Sequence, residues 1–293
     1  MDFGPSIVNN SNAFSLPIFV RMDEIKQISS LQNSLIKKLL LLKEKKKGRN
    51  KSGLFVLEGL REFQMAIRGN YQIQTIFFNT NIFSQEKLYE LINGLHTKPE
   101  LIEVSRDVYQ RIAYREKTEG ILAIAQTKTH SLDQLHLKSA NPLILIAEAP
   151  EKPGNIGALL RTADAAGLDA VIIANPRGDL YNPNVIRSSV GCVFTVPVAL
   201  ASNTEVINFL KKKGIRIIAA SLEASIPYTQ QEYTTPSAIV VGTESSGLTA
   251  EWIKHSDVRV VIPMEGEIDS MNVSVSAAIL IFEAKRQRAD LSL

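Results

Sequence analysis

Leu143-Ile-Leu-Ile-Ala-Glu-Ala-Pro-Glu-Lys-Pro-Gly-Asn-Ile-Gly-Ala-Leu-Leu-Arg-Thr-Ala-Asp-Ala-Ala-Gly167 is the stretch on which the fold turns. Its first five residues are apolar without alternation, the mark of a strand buried on both faces. Asn155 then stands where a helix cap belongs, an alanine- and leucine-rich helix follows, and Gly167 marks its stop. The same strand-to-helix rhythm continues downstream. Ala170–Ala174, Val193–Val198, Ile215–Ala220, Ala238–Val241 and Val258–Ile262 read as further apolar strands, most of them separated by amphipathic segments. This predicts an α/β fold with a parallel sheet covered on both faces. Ligands of such sheets collect at the carboxyl ends of the strands. The loops after Ala147, Val241 and Ile262 are therefore where chemistry is expected, and unusual residues gather in all three.

Upstream, short apolar runs at Gly53–Leu57, Ile73–Phe78, Leu101–Val104 and Gly120–Ala125 alternate with helical patterns around 30–46, 59–68, 84–93 and 106–113. They predict a small α/β domain over residues 23–128. Residues 1–22 read as a flexible tail, 129–140 as a polar linker, and 141–293 as the second domain. The two parts differ in charge. Residues 1–140 carry 20 Lys and Arg against 14 Asp and Glu, a net +6, whereas residues 141–293 carry 13 against 16, a net −3. Within the basic part, Lys37, Lys38, Lys43, Lys45, Lys46, Lys47, Arg49 and Lys51 stand against Glu44 alone between 36 and 51. Such a run is either a polyanion surface or a solvated helix face.

A single cysteine, Cys192, excludes an internal disulfide and a cysteine-built metal site, and four scattered histidines make no metal cluster. No run reaches the ~18 apolar residues of a membrane span. A reducing cytoplasm and no metal are the expectation.

The loop after Val241 reads Gly242-Thr-Glu-Ser-Ser-Gly-Leu-Thr249. Its Gly-x-x-x-x-Gly spacing is that of a phosphate loop, yet Leu248 stands where the lysine belongs, and no Gly-x-Gly-x-x-Gly fingerprint occurs in the chain. Triphosphate and dinucleotide readings both weaken. Glu244 repels phosphate and suits a hydroxyl or ammonium partner, or is a plain loop carboxylate. The third loop, Pro263-Met-Glu-Gly-Glu-Ile-Asp-Ser-Met-Asn272, leads into a helix rich in small residues, with Ser270 at the cap position. Arg161, on the helix after the first loop, is either a surface residue of an amphipathic helix or, amid its apolar neighbours, a group in need of a partner or a ligand.

In this order and spacing the three blocks resemble the signature motifs of the SpoU (TrmH) branch of the SPOUT RNA methyltransferases. The matching residues are Asn155, Gly157, Arg161 and Gly167, then Gly242, Glu244 and Gly247, then Pro263, Met264, Ser270 and Asn272. The stretch Val185–Phe194 also looks like the family's, and the basic domain is similar to the substrate-binding domain that many members carry. Thr243, Met271 and Ser276 stand where Asn, Leu and Ala are usual.

The resemblance implies a SPOUT-type parallel sheet whose C-terminal segment forms a trefoil knot, preceded by an RNA-binding domain. It implies a homodimer that binds S-adenosylmethionine at Gly242, Ile262 and Met271 and methylates a ribose 2′-hydroxyl of RNA. Arg161, Asn155, Glu244, Ser270 and Asn272 are then the catalytic set. Arg161 is either a base or a holder of the target phosphate; a guanidinium resists deprotonation. Lys45, Lys46, Lys47 and Arg49 are the expected RNA surface. Ribosomal RNA is favoured over transfer RNA, with neither DNA nor a membrane as partner. A non-catalytic ribosome-assembly protein of the same fold is the alternative.

Overall fold

The computed structural model describes residues 25–93, 95, 97–114, 119–223, 225–243, 246–268 and 270–290. The expected tail, residues 1–22, lies outside them. Two sheets follow one another along the chain. The first holds β1 (Lys26–Ile28), β2 (Leu54–Glu58), β3 (Ile73–Phe78), β4 (Glu100–Val104) and β5 (Ile121–Gln126), in the order β1-β4-β3-β5-β2. β1, β4 and β3 are parallel, and β5 runs antiparallel to both β3 and β2. Between them lie helices α1 (Ser34–Glu44), α2 (Lys46–Ser52), α3 (Leu60–Arg68), α4 (Gln85–Ile92) and α5 (Arg106–Ile112). On one face of this sheet, Val56, Phe77, Ile102 and Leu122 meet Ile36, Leu39 and Leu42 of α1 and Val108 and Ile112 of α5.

The helix expected around 30–46 is α1, and a second helix, α2, follows it after a single residue. Asn33 caps α1 by accepting from the Leu35 N–H, and Lys45 is extended (φ −115°) before α2 begins. That break turns α2 so that Arg49 points inward, to the Leu42 carbonyl.

The second sheet holds β6 (Leu143–Glu148), β7 (Ala170–Ala174), β8 (Val198–Ala201), β9 (Arg216–Ala220), β10 (Ile226–Pro227), β11 (Ser237–Val241) and β12 (Val258–Val261). Their order is β10-β12-β9-β11-β6-β7-β8, and every pairing is parallel. Five helices accompany it: α6 (Pro153–Ala166), α7 (Pro183–Ser188), α8 (Asn203–Lys213), α9 (Ala250–His255) and α10 (Val273–Asp290). Adjacent residues of β6 serve opposite faces. Leu143, Leu145 and Ala147 join a core with Leu159 and Leu160 of α6 and Leu280 and Ile281 of α10. Ile144 and Ile146 join the other, with Val206 and Leu210 of α8 and Trp252 of α9.

The expected strand Val193–Val198 is absent. Cys192–Phe194 form one turn of 3₁₀ helix, and β8 starts only at Val198. The apolar run reflects burial of a different kind: Phe194 packs on Phe55 (5.5 Å between ring centroids) and Tyr71 (5.0 Å), across the seam between the two sheets. Tyr181 stacks on Phe55 in the same cluster (4.5 Å), so one core is continuous from sheet to sheet. Among the described residues, no helix is long and apolar enough to cross a membrane.

Candidate functional site

The strand order reverses direction between β6 and β11, since β6 leads outward to β7 and β8 while the later strands lie on its other side. This is the crevice where doubly wound sheets take ligands. The register pairs Val241 with Ala147, so Gly242 and Glu148 leave the sheet side by side.

After Gly242 the chain doubles back on itself. The Thr243 N–H donates to the Gly247 carbonyl (3.1 Å) and the Gly247 N–H to that of Thr243 (3.0 Å). A Cβ on Gly242 would lie 2.2 Å from the Gly247 carbonyl carbon and 2.5 Å from the Leu248 nitrogen. Backbone occupies that space, and no side chain fits.

Glu148 is buried, and its carboxylate is fully employed. It accepts from the Thr249 N–H (2.9 Å), the Thr249 hydroxyl (2.8 Å) and the Asn203 amide. One carboxylate thereby fixes the starts of α8 and α9 to the end of β6. A buried charge requires such satisfaction.

Across the crevice, Asn272 caps α10: its Oδ1 accepts from the Ser274 N–H (2.9 Å) and hydroxyl (2.6 Å). Its Nδ2 donates to Asn155 Oδ1 (3.1 Å), tying the start of α10 to the first turn of α6. Further along α6, Gly157 lets α7 approach; a Cβ there would meet the Ser189 nitrogen at 2.6 Å. Arg161, a turn beyond, is exposed. Its charge reaches the buried Cys192 thiol, as does that of Arg61 from α3. Burial and Asp164 outweigh these cations and push the thiol up to about 11, so it is neutral at physiological pH and not a nucleophile.

Residues 142–282 match the family model described as the SpoU rRNA methylase family. The chain belongs to that family. Residues 33–123 match the model of the MRM3-like substrate-binding domain. The RlmP protein of Bacillus subtilis (strain 168), named a 23S rRNA (guanosine(2553)-2′-O)-methyltransferase, is 28% identical over 261 residues, 89% of this chain and 100% of its own. RlmB of Vibrio vulnificus (strain CMCP6), a 23S rRNA (guanosine-2′-O-)-methyltransferase, is 33% identical over 209 residues, 69% of this chain and 85% of its own. An AdoMet-bound rRNA methyltransferase from Sinorhizobium meliloti superposes with a TM-score of 0.82 at 26% identity, covering 90% of this chain and 98% of that one. A solved RNA 2′-O ribose methyltransferase gives 0.77 at 37% identity, with coverages of 90% and 99%.

Of the residues singled out in the SpoU motifs, Asn155 and Asn272 are brought into contact from 117 residues apart. Two cap assignments need correction. Pro153 is the first helical residue of α6, after Lys152, so Asn155 lies inside the first turn with its side chain released for Asn272. Ser270 precedes α10 by three residues, is exposed, and leaves the cap to Asn272. Ile262 and Met271 are half-buried at the two ends of the third loop, Ile262 against the core. Glu244 lies outside the described residues.

The basic run also needs correction. Lys45, Lys46 and Lys47 are exposed, but Arg49 is 3% exposed and ion-paired with Asp179 at 2.6 Å. Its charge is spent inside the protein, holding α2 to the loop before α7. Lys46 Nζ donates to the carbonyls of Arg177 (3.3 Å) and Gly178 (3.0 Å) in that same loop. Sequence reasoning gave Glu148 no role. Its signal was a carboxylate ending an otherwise apolar strand, which demands buried donors.

Proposed function

We propose that the protein transfers a methyl group from S-adenosylmethionine to a ribose 2′-hydroxyl of ribosomal RNA. The observation that carries the reading is the Asn155–Asn272 bond at the mouth of the β6–β11 crevice, beside a loop closed on Gly242. It joins the first and third family motifs at the place where the topology puts a ligand. The curated relatives described above are named for this reaction on 23S rRNA, which favours ribosomal over transfer RNA.

The residues present suit the cofactor. Gly242 offers backbone without a side chain, and Ile262 and Met271 offer apolar surface to an adenosyl and a thioether group. When bound, S-adenosylmethionine supplies an electrophilic methyl on its sulfonium. The chain must then position a poor nucleophile in line and stabilise the charge it develops. Arg161, exposed on α6, holds the target phosphate and polarises the hydroxyl through a planar two-point contact. Asn155, Asn272 and Ser270 orient the ribose, and Glu244 completes the set. Lys45 and Lys47 add sequence-independent RNA affinity.

The family's C-terminal trefoil knot and its homodimer belong to the same proposal. Exposed Val275 and Phe282, seven residues apart on one face of α10, support the dimer. The substrate sets the work in the cytoplasm.

The test is cofactor binding by calorimetry together with radiolabelled methyl transfer to unmodified 23S rRNA. Arg161→Ala is expected to keep cofactor affinity and lose transfer. Arg161→Lys is expected to fail as well, because an ammonium lacks the planar fork. Gly242→Ala is expected to lose cofactor binding. Turnover by the Lys variant near that of the unaltered protein would reduce the role of Arg161 to charge.

A further inference from the structure

A cleft of about 630 Å³ opens on the first domain, lined by residues of that domain alone. Its walls are the outer face of α3, the turn after β3 and the start of α4. Arg61, Gln64 and Arg68 stand at the spacing of successive turns on α3, all exposed, and Lys87 of α4 faces them. Met65, Ile82 and Phe83 give it an apolar floor. Glu119 is its one lining carboxylate among the described residues, and it accepts from the Leu60 N–H at the start of α3. There it faces the positive end of the helix rather than a ligand. The lining is therefore cationic with an apolar base, the pairing that grips a phosphate and packs a nucleobase.

The cleft also adjoins the catalytic helix. α3 packs against the Cys192–Phe194 turn, and the Cys192 thiol feels the charges of both Arg61 and Arg161. The cleft wall and the residue assigned to the target phosphate thus share a neighbour.

We propose that this cleft binds a nucleotide of single-stranded RNA flanking the methylated one, its phosphates on Arg61 and Arg68 and its base against Met65 and Ile82. Gln64, with both a donor and an acceptor in its amide, contacts the base edge. The proposal rests on the methyltransferase reading and extends it to where the substrate lies before transfer. A strand in this cleft passes Arg161 on leaving, which makes the first domain a guide for the reaction.

Three readouts on Arg61→Gln/Arg68→Gln test it: calorimetry with S-adenosylmethionine, anisotropy of a fluorescein-labelled single-stranded RNA at several salt concentrations, and the KM and kcat for unmodified 23S rRNA. The result expected is unchanged cofactor affinity, RNA affinity lower by about tenfold, and a log–log salt slope shallower by about 1.4 units for two lost single-strand phosphate contacts. KM rises while kcat holds. Arg61→Lys/Arg68→Lys is expected to restore the slope, because charge alone displaces counterions. RNA affinity, slope and KM all unchanged in the Gln variant would overturn the cleft and leave the methyltransferase reading standing. Conversely, an unaltered protein that binds RNA through the cleft yet methylates none would overturn that reading and keep the cleft, since anisotropy needs no turnover.

Discussion

Asn272 does two jobs with the two ends of one amide, and chemistry can separate them. Its oxygen caps α10 and its nitrogen holds Asn155. Asn272→Ala removes both and is expected to cost about 0.5–2 kcal/mol of stability, as lost caps do. Asn272→Asp retains a capping oxygen but points a second oxygen at Asn155 Oδ1, where a donor is needed. The expected outcome is a melting temperature near that of the unaltered protein with kcat/KM reduced by more than about tenfold. A tenfold loss corresponds to about 1.4 kcal/mol, within the range of one broken neutral hydrogen bond. Thermal unfolding beside a methyl-transfer assay reads the two effects independently. A stable, fully active Asp variant would confine Asn272 to capping.

At the scale of elements, most of what the sequence shows is periodic and most of what it hides is contextual. The strand Leu143–Ala147 is legible because five unbroken apolar residues followed by turn residues fit a strand buried on both faces. The run Val193–Val198, broken by Thr195 and Pro197, is buried instead by a turn that sets Phe194 in the aromatic seam, and apolar content alone does not distinguish one burial from the other. Site residues divide the same way. The glycine spacing at 242 and 247 shows locally, whereas the Asn155–Asn272 bond joins residues 117 apart, which no local pattern encodes. Arg49 is the sharpest case: within a run of lysines it reads as surface, and only the break at Lys45 turns it towards Asp179. Arg49→Ala is expected to destabilise by about 3–5 kcal/mol, because it strands a buried carboxylate without its counter-charge. Arg49→Met/Asp179→Asn is expected to regain much of that loss, as removal of both charges abolishes the imbalance. Urea unfolding of the two variants checks it. Lys45→Gln/Lys47→Gln, which touches no buried pair, is expected to leave stability within about 0.5 kcal/mol.

At the scale of the whole molecule, the seam between the sheets carries a hydrogen-bonded chain as well as an aromatic core. His130 Nδ1 faces the Val198 carbonyl (3.2 Å), which makes it the protonated nitrogen and leaves Nε2 to accept from the Tyr181 hydroxyl (2.7 Å). The Tyr181 oxygen accepts in turn from the Lys128 N–H (2.9 Å) and from the Tyr71 hydroxyl (3.1 Å). Four segments are so joined, from the first domain, the polypeptide between the sheets, the loop before α7 and β8. Protonating His130 would place a second donor against the Tyr181 hydroxyl and a charge in an apolar seam. Burial accordingly depresses the imidazole below its ordinary 6.5, with the charge of Lys128 acting in the same direction. The unfolded chain therefore takes up this proton at a higher pH than the folded one. Stability rises with pH wherever the unfolded state holds more protons, so the contribution is complete above about pH 6.5 and declines as the pH falls below it. His130→Gln, which keeps a donor and an acceptor but does not titrate, is expected to be less stable at pH 7.5 and to lose part of the decline between pH 7 and 5.5. Urea midpoints at several pH values measure both. A decline of equal steepness in the Gln variant would assign the pH dependence to carboxylates and leave the seam insensitive to acid.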